Sequence, residues 1–149
     1  MVPELIQTKT ILLIEDNVDD EQLLIRALQK NNIMNEVVVA CDGEEAISLL
    51  FPEKGDREPI SPDLIILDLH LPGISGLHVL EKLRANCSTR YTPVVAVSSN
   101  WSVDRATAVY EAGANSFVLK PTDASEFSET FLHLALYWLL VNVNPNQRV

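Results

Sequence analysis

The chain has 149 residues, of which 47% are hydrophobic and 21% charged, proportions that exclude a generally disordered chain and fit one globular domain. Eleven Lys and Arg residues against 21 Asp and Glu residues give a net charge of -10 at pH 7, which argues against binding to nucleic acid or to an anionic membrane surface. The only two cysteines, Cys41 and Cys87, predict reduced thiols and no zinc site. Without a signal peptide or a membrane-spanning run, the sequence predicts a cytoplasmic protein.

Short apolar runs predict five strands, and a stretch with helical spacing of apolar residues follows each of them. The runs cover residues 10–14, 36–40, 64–67, 94–97 and 117–119. They are apolar throughout and do not alternate, which is typical of strands covered on both faces of a parallel sheet. The helical stretches cover residues 23–28, 46–50, 77–84, 106–112 and 127–138. This alternation predicts an α/β fold with right-handed crossovers and helices on both faces of the sheet.

Polar side chains stand where the predicted strands end. Glu15 and Asp16 follow the first run, and Asp68 follows the run at residues 64–67. Ser98 and Lys120 follow the last two runs. Ligands of an open parallel sheet bind at the carboxyl ends of its strands. Clustered carboxylates need a cation, and their hard oxygen ligands favour Mg²⁺. An ammonium and a hydroxyl can each hold a phosphate oxygen, and a carboxylate can attack phosphorus.

These strand ends resemble the motifs of the receiver domain of two-component response regulators. The matching stretches are residues 14–16 (Ile-Glu-Asp), 67–76 (Leu-Asp-Leu-His-Leu-Pro-Gly-Ile-Ser-Gly), 97–99 (Val-Ser-Ser) and 119–121 (Leu-Lys-Pro). The resemblance covers residues 8–141 and implies a flavodoxin-like (βα)5 fold, a doubly wound sheet of five parallel strands in the order 2-1-3-4-5. Residues 142–149 would then be a short polar tail, with no room for an output domain.

The resemblance also implies a phosphoacceptor and a metal site. Asp68 would accept a phosphoryl group from a phosphohistidine of a sensor histidine kinase. Asp16 and Asp68 would bind Mg²⁺ together with the backbone carbonyl of His70, and Glu15 would act through a coordinated water. The His70 side chain is not an expected metal ligand.

A switch is implied by the remaining motif residues. Lys120 would pair with the acyl phosphate, and its bond to Pro121 is a candidate for the cis form. Ser98 would move to donate a hydrogen bond to the phosphoryl group, and Phe117 would change rotamer with it. The coupled movement would change the surface that binds a downstream protein.

The last predicted helix has more apolar surface than one sheet can cover. Residues 130–147 contain no Asp, Glu, Lys or Arg. Phe131, Leu134, Trp138 and Val141 form the stripe expected to cover the sheet. The remaining apolar residues predict a homodimer, formed with or without phosphorylation, although a C-terminal tail folded back over the helix is an alternative. The predicted dimer contacts are Phe131, Leu132, Leu136, Tyr137 and Leu140.

Two further features are similar to the single-domain regulators partnered with bacterial and cyanobacterial phytochromes. They are the long loop that ends at residues 61–64 (Ser-Pro-Asp-Leu) and the closing residues 135–138 (Ala-Leu-Tyr-Trp). The resemblance implies a red-light-sensing histidine kinase as the partner. The surface of this chain that docks the kinase would be the first helix, at Glu21, Leu24 and Leu28, with the loop after Lys120.

Two other functions can use the same strand-end residues. A phosphohydrolase with Asp68 as nucleophile is one, but that chemistry expects a second aspartate two residues later, where this chain has His70. A scaffold that binds partners without phosphorylation is the other, but it has no need for carboxylates that repel one another. A phosphoacceptor is therefore the favoured interpretation.

Overall fold

The computed structural model describes residues 9–33 and 35–145, and within these ranges five strands alternate with five helices. The strands are β1 (Thr10–Ile14), β2 (Glu36–Ala40), β3 (Leu64–Asp68), β4 (Val94–Ser98) and β5 (Ser116–Leu119). The helices are α1 (Val18–Lys30), α2 (Gly43–Leu50), α3 (Gly76–Ala85), α4 (Val103–Glu111) and α5 (Ala124–Leu136), which continues into a π-helical turn (Tyr137–Val141). The predicted domain start at residue 8 and the tail residues 146–149 lie outside the described residues.

The strands form one sheet with the order β2-β1-β3-β4-β5, and every neighbouring pair is parallel. This confirms the predicted fold. The chain reverses its direction of winding between β1 and β3, so the carboxyl ends of these two strands form the switch point where ligands bind. Ile14 is in register with Leu67, and the residues that follow each of them are therefore neighbours.

Helices α2, α3 and α4 cover one face of the sheet, and α1 and α5 cover the other. Along β3, Ile65 and Leu67 belong to the first core layer, whereas Leu64 and Ile66 belong to the second. Because side chains of a strand point alternately to the two faces, a strand between two helical layers must be apolar at every position. This explains why the strands could be identified as continuous apolar runs.

Each helix of the described chain begins after a residue whose side chain accepts a hydrogen bond from a backbone N–H of the first turn. The capping residues are Asn17, Asp42, Ser75, Ser102 and Asp123. Helix α3 also packs closely against the end of β3, since a Cβ atom at Gly76 would lie 3.0 Å from the Asp68 carbonyl oxygen. Glycine at this position lets the helix approach the strand end.

The first helix buries two of its three predicted docking residues, Leu24 and Leu28, whereas Glu21 is half-buried. Leu24 and Leu28, one turn apart, pack in the core between α1 and the sheet and are almost fully buried. Their assignment to a docking surface is wrong, because the apolar i, i+4 pair of an amphipathic helix faces the core.

The last helix buries a different stripe from the predicted one. Phe127, Phe131, Ala135 and Leu139 follow one another at intervals of four and face the sheet. Val141, predicted to be buried, is 63% exposed. The cause is the i, i+4 spacing of the core-facing residues within α5, which places Val141, six residues after Ala135, on the side of the helix away from the sheet. The π-helical turn that follows has Asn142 N–H donating to Tyr137 O at 2.8 Å.

Burial also corrects the predicted dimer contacts. Phe131 is 2% exposed and lies in the core against the sheet, so its assignment to a dimer interface is wrong. Tyr137 and Leu140 are 48% and 42% exposed, and Leu132 and Leu136 are half-buried. These four side chains therefore belong to the part of α5 and its π-helical turn that is not fully covered by the rest of the chain.

Two further observations on the described residues concern the cysteines and the helices. Cys41 and Cys87 are both exposed. Among residues 9–33 and 35–145, no helix has the length and apolar character needed to cross a membrane.

Candidate functional site

The carboxyl ends of β1, β3, β4 and β5 bring the predicted site residues together. Lys120 Nζ lies 2.7 Å from Glu15 Oε2 and 2.7 Å from Asp68 Oδ2. The Lys120 backbone N–H donates to the Ser98 carbonyl at 2.9 Å. Glu15, Asp68 and Ser98 are buried, whereas Asp16 is exposed at the mouth of the site. Residues that are up to 105 positions apart in the chain thus meet at one edge of the sheet.

Three carboxylates of this group are close enough to share one cation. One oxygen from each of Glu15, Asp16 and Asp68 can be chosen so that all lie within 4.8 Å of one another. Carboxylate oxygens are hard ligands that suit a divalent cation such as Mg²⁺. The His70 backbone N–H donates to Asp68 Oδ1 at 2.7 Å, which orients the Asp68 carboxylate. The role of the His70 carbonyl as a ligand stays a prediction.

The two buried carboxyl groups of the site, Glu15 and Asp68, differ in the direction of their pKa shift. Burial and the hydrogen-bonded Asp68 raise the pKa of Glu15 to about 8, although Lys120 opposes this shift. Burial also acts to raise the pKa of Asp68, but hydrogen bonds with Glu15, Lys120 and the His70 amide outweigh it and leave that pKa below its usual value. Of the two buried carboxyl groups, Glu15 therefore holds a proton more readily, and Asp68 stays ionised as a nucleophile must.

Lys120 has a third carboxylate partner that the sequence analysis did not identify. Asp20 Oδ2, in the first turn of α1, lies 2.8 Å from Lys120 Nζ. Burial acts to lower the pKa of Lys120, but Asp20, Asp68 and Glu15 outweigh it and raise that pKa, so the ammonium stays charged. The Asn17 cap is the sequence signal that indicates Asp20. It marks the start of a helix directly after β1, and the first turn of such a helix lies near the carboxyl ends of the strands.

One expectation about the Lys120 loop is wrong. The described residues contain no cis peptide bond, so the bond between Lys120 and Pro121 is trans. The trans form is the ordinary state of most bonds that precede proline. Lys120 reaches its three carboxylates from this trans loop.

The His70 side chain contacts Ser98, a contact that the sequence analysis did not predict. His70 Nε2 lies 3.0 Å from Ser98 Oγ, and Arg105 Nη1 lies 3.3 Å from the same nitrogen. Ser98 Oγ also donates to the Asn100 carbonyl at 2.9 Å and accepts from the Asn100 N–H at 3.1 Å. No local sequence signal could have revealed this cluster, because it depends on how α4 is oriented against the loop after β3.

Phe117, the predicted rotamer switch, lies half-buried in β5 and packs on the core layer of α2, α3 and α4. Its backbone N–H donates to the Tyr110 hydroxyl at 3.2 Å. Tyr110 is an exposed residue of α4, so this bond links α4 to β5 beside the site. The change of rotamer itself stays a prediction.

Comparison with known proteins identifies the family. Residues 11–131 match the response regulator receiver domain. The response regulator Rcp1 of Synechocystis sp. strain PCC 6803 is 29% identical over 131 residues, which cover 88% of this chain and 89% of Rcp1. The crystal structure of its Mn²⁺-bound form has a TM-score of 0.84 at 28% identity and covers 92% of this chain and 99% of that chain.

Solved structures of phytochrome response regulators are among those similar to this chain. The phosphorylated cyanobacterial phytochrome response regulator RcpA is 30% identical, with a TM-score of 0.84, and covers 93% of this chain and 99% of its own. The bacteriophytochrome response regulator AtBRR is 36% identical, with a TM-score of 0.71, and covers 95% of this chain and 96% of its own. The carboxylates at the strand ends surround one lysine, and the matched domain spans most of the chain. The chain therefore belongs to the response regulator receiver family and is related to the phytochrome response regulators.

Proposed function

We propose that this chain is a phosphoacceptor of a two-component system, in which Asp68 accepts a phosphoryl group from a sensor histidine kinase. The observation that carries the proposal is the arrangement around Asp68. Its carboxylate is buried, is kept ionised, and lies 2.7 Å from a charged lysine and close to two further carboxylates. A family member that was crystallised in a phosphorylated form supports the proposal.

In the transfer, an Asp68 oxygen attacks phosphorus, the new P–O bond forms and the P–N bond of the phosphohistidine breaks. The imidazole of the kinase leaves and takes up a proton from solvent. Lys120, already held beside Asp68, pairs with a phosphoryl oxygen, and the Ser98 hydroxyl donates a hydrogen bond to another. Ser98 is the last residue of β4, which lies next to β3 in the sheet, and Lys120 directly follows β5, which lies on the far side of β4.

Mg²⁺ is the cation that we propose for the acidic group. Glu15, Asp16 and Asp68 would hold it with the carbonyl of His70, and Glu15 would act through a coordinated water. When bound, Mg²⁺ neutralises charge on the phosphoryl oxygens. The hard donor set and the Mn²⁺-bound structure of Rcp1 support a divalent cation here.

Incubation with phosphoramidate and Mg²⁺, followed by measurement of the intact mass, tests the proposed function. We expect one labile phosphoryl group per chain, and we expect EDTA to prevent its addition because the carboxylates then lack the cation that offsets their charge. The same incubation in Na⁺ alone is the matched control. A mass that stays unchanged in Mg²⁺, or an addition that is equally fast in EDTA, would contradict the proposal.

The two alternative functions have less support from the site. A phosphohydrolase needs a second carboxylic acid two residues after its nucleophile, and His70 at that position contacts Ser98 and Arg105 instead. A scaffold without phosphorylation would have no use for the buried carboxylates around Lys120. Steady turnover of small phosphate esters in the same incubation would favour the phosphohydrolase.

We further propose a phytochrome histidine kinase as the partner and the cytoplasm as the place of transfer. The relationship to the phytochrome response regulators supports this partner. Since Leu24 and Leu28 are buried, the docking surface that remains from the prediction is Glu21, in the first turn of α1, with the loop after Lys120.

We propose that the chain forms a homodimer through the outward side of α5 and the π-helical turn. The contacts would be Leu132, Leu136, Tyr137 and Leu140, without Phe131. Exposed apolar side chains on adjacent turns usually mark an interface. The area is the same in both phosphorylation states, so we expect the dimer in both.

A charge in this surface is expected to dissociate the dimer. Leu140→Glu should weaken association by at least about tenfold, because each of the two copies would bury an unpaired carboxylate. Sedimentation velocity over a range of concentrations measures the effect. Val103→Glu, which places the same charge at a more exposed apolar residue, in α4, should leave the dimer intact. A monomeric wild-type protein, or a Leu140→Glu variant that still dimerises, would contradict the proposed interface.

A further inference from the structure

We infer that His70 is a positioning residue that holds the Ser98 hydroxyl in its resting orientation. A phosphoryl group on Asp68 can then recruit this hydroxyl only after the contact between His70 and Ser98 has been broken. The inference rests on the proposed function, because it takes from that function the hydrogen bond between Ser98 and the phosphoryl group.

The Ser98 side chain is fully buried, so water does not compete for its hydroxyl. A serine hydroxyl can donate one hydrogen bond and accept two. Three polar atoms surround Oγ: Nε2 of His70 at 3.0 Å, the carbonyl oxygen of Asn100 at 2.9 Å and the N–H of Asn100 at 3.1 Å. The hydrogen-bonding capacity of Ser98 is therefore taken up within the protein.

The conclusion holds for both tautomers of His70. If Nε2 carries the proton, the imidazole donates to Ser98 Oγ, and the hydroxyl proton goes to the Asn100 carbonyl. If Nε2 carries the lone pair, it can accept the hydroxyl proton itself. In both cases the proton that a phosphoryl oxygen would need is committed to a protein group, and His70 is one of the groups that hold Ser98 in place.

His70 contacts the phosphoacceptor through its backbone and Ser98 through its imidazole. The His70 backbone N–H donates to Asp68 Oδ1 at 2.7 Å, and Arg105 Nη1 lies 3.3 Å from Nε2 on the side of α4. His70 thus connects the carboxylate that is to be modified, the hydroxyl that is to respond and the helix after β4. Phosphorylation of Asp68 can therefore affect Ser98 through His70.

Loss of the imidazole is expected to make the active arrangement easier to reach. A hydrogen bond of this kind contributes modestly to the resting state, so His70→Leu should bind beryllofluoride, a phosphoryl analogue, about three- to tenfold more tightly in Mg²⁺. His70→Gln should restore most of the wild-type affinity, because its amide nitrogen can replace Nε2 as a donor to Ser98 Oγ. His78→Leu makes the same change at an exposed histidine of α3 and is the matched control.

A second comparison separates an effect through Ser98 from a general effect of the imidazole. In a Ser98→Ala background, His70→Leu should no longer change the beryllofluoride affinity, because the hydroxyl that His70 holds is absent. Titration calorimetry of the wild type, the single variants and the double variant gives this cycle. Equal affinities of the wild type and His70→Leu, or the same gain with and without the Ser98 hydroxyl, would overturn the inference alone. A wild-type protein that binds no beryllofluoride would contradict the proposed function and this inference with it.

Discussion

Asp68→Asn is expected to abolish the uptake of phosphoryl groups from phosphoramidate in Mg²⁺. An amide cannot replace a carboxylate as the nucleophile. The neighbouring Glu15 is not expected to take over, because its carboxylate is proposed to act on the cation through a coordinated water and its Oε2 contacts Lys120 Nζ at 2.7 Å. The measurement is the intact mass after incubation, which should equal that of the untreated variant.

The control for this variant makes the same chemical change at an exposed site. Asp19, in the first turn of α1, is exposed. Asp19→Asn should therefore take up the phosphoryl group as the wild type does. Phosphoryl uptake by Asp68→Asn to a similar extent would mean that the nucleophile is another residue.

Arg84→Ala is expected to lower the stability of the fold strongly without preventing the phosphorylation of Asp68. The guanidinium of Arg84, at the end of α3, donates to the Gly113 carbonyl at 2.8 Å, the Thr92 carbonyl at 2.8 Å and Asn115 Oδ1 at 2.8 Å. It thereby ties together the segments that precede β4 and β5. Because several partly buried acceptors would lose a charged donor, we expect the free energy of unfolding to fall by about 3 kcal/mol.

Urea unfolding measures this effect, and Lys82→Ala is the matched control. Lys82 is an exposed cation of the same helix, and its replacement should change the free energy of unfolding by less than about 0.5 kcal/mol. Arg84 lies at the edge of the sheet opposite Asp68, so the folded fraction of Arg84→Ala should still be phosphorylated. Equal stabilities of the two variants would contradict the structural role of Arg84.

The fold could be predicted from the sequence because its strongest signals are local. The interior of a strand buried on both faces is apolar, β3 and β4 end in the polar residues Asp68 and Ser98, and Glu15 directly follows β1. The strand order needed the resemblance to the receiver family, since periodicity does not specify which strands are neighbours. The family motifs also located Asp68, Ser98 and Lys120 at one edge of the sheet.

The predictions that failed depended on the orientation of helices. The stripe through Leu134 and Val141 follows one apolar side of α5, but the helix buries the neighbouring side, at Phe127, Phe131 and Ala135. The spacing of Leu24 and Leu28 fits a core-facing pair of an amphipathic helix better than a docking surface. The contact of His70 with Ser98 joins segments that are far apart in the chain, and no pattern within either segment indicates the other.

Chemical mapping of the acyl phosphate tests the role of Asp68 most directly. Borohydride reduces an aspartyl phosphate to homoserine, which peptide mass spectrometry locates in the phosphorylated wild-type protein. We expect homoserine at residue 68 alone, and none when EDTA is present during phosphorylation. Homoserine at another residue, or a phosphorylated protein that yields no homoserine, would contradict the assignment of Asp68 as the phosphoacceptor.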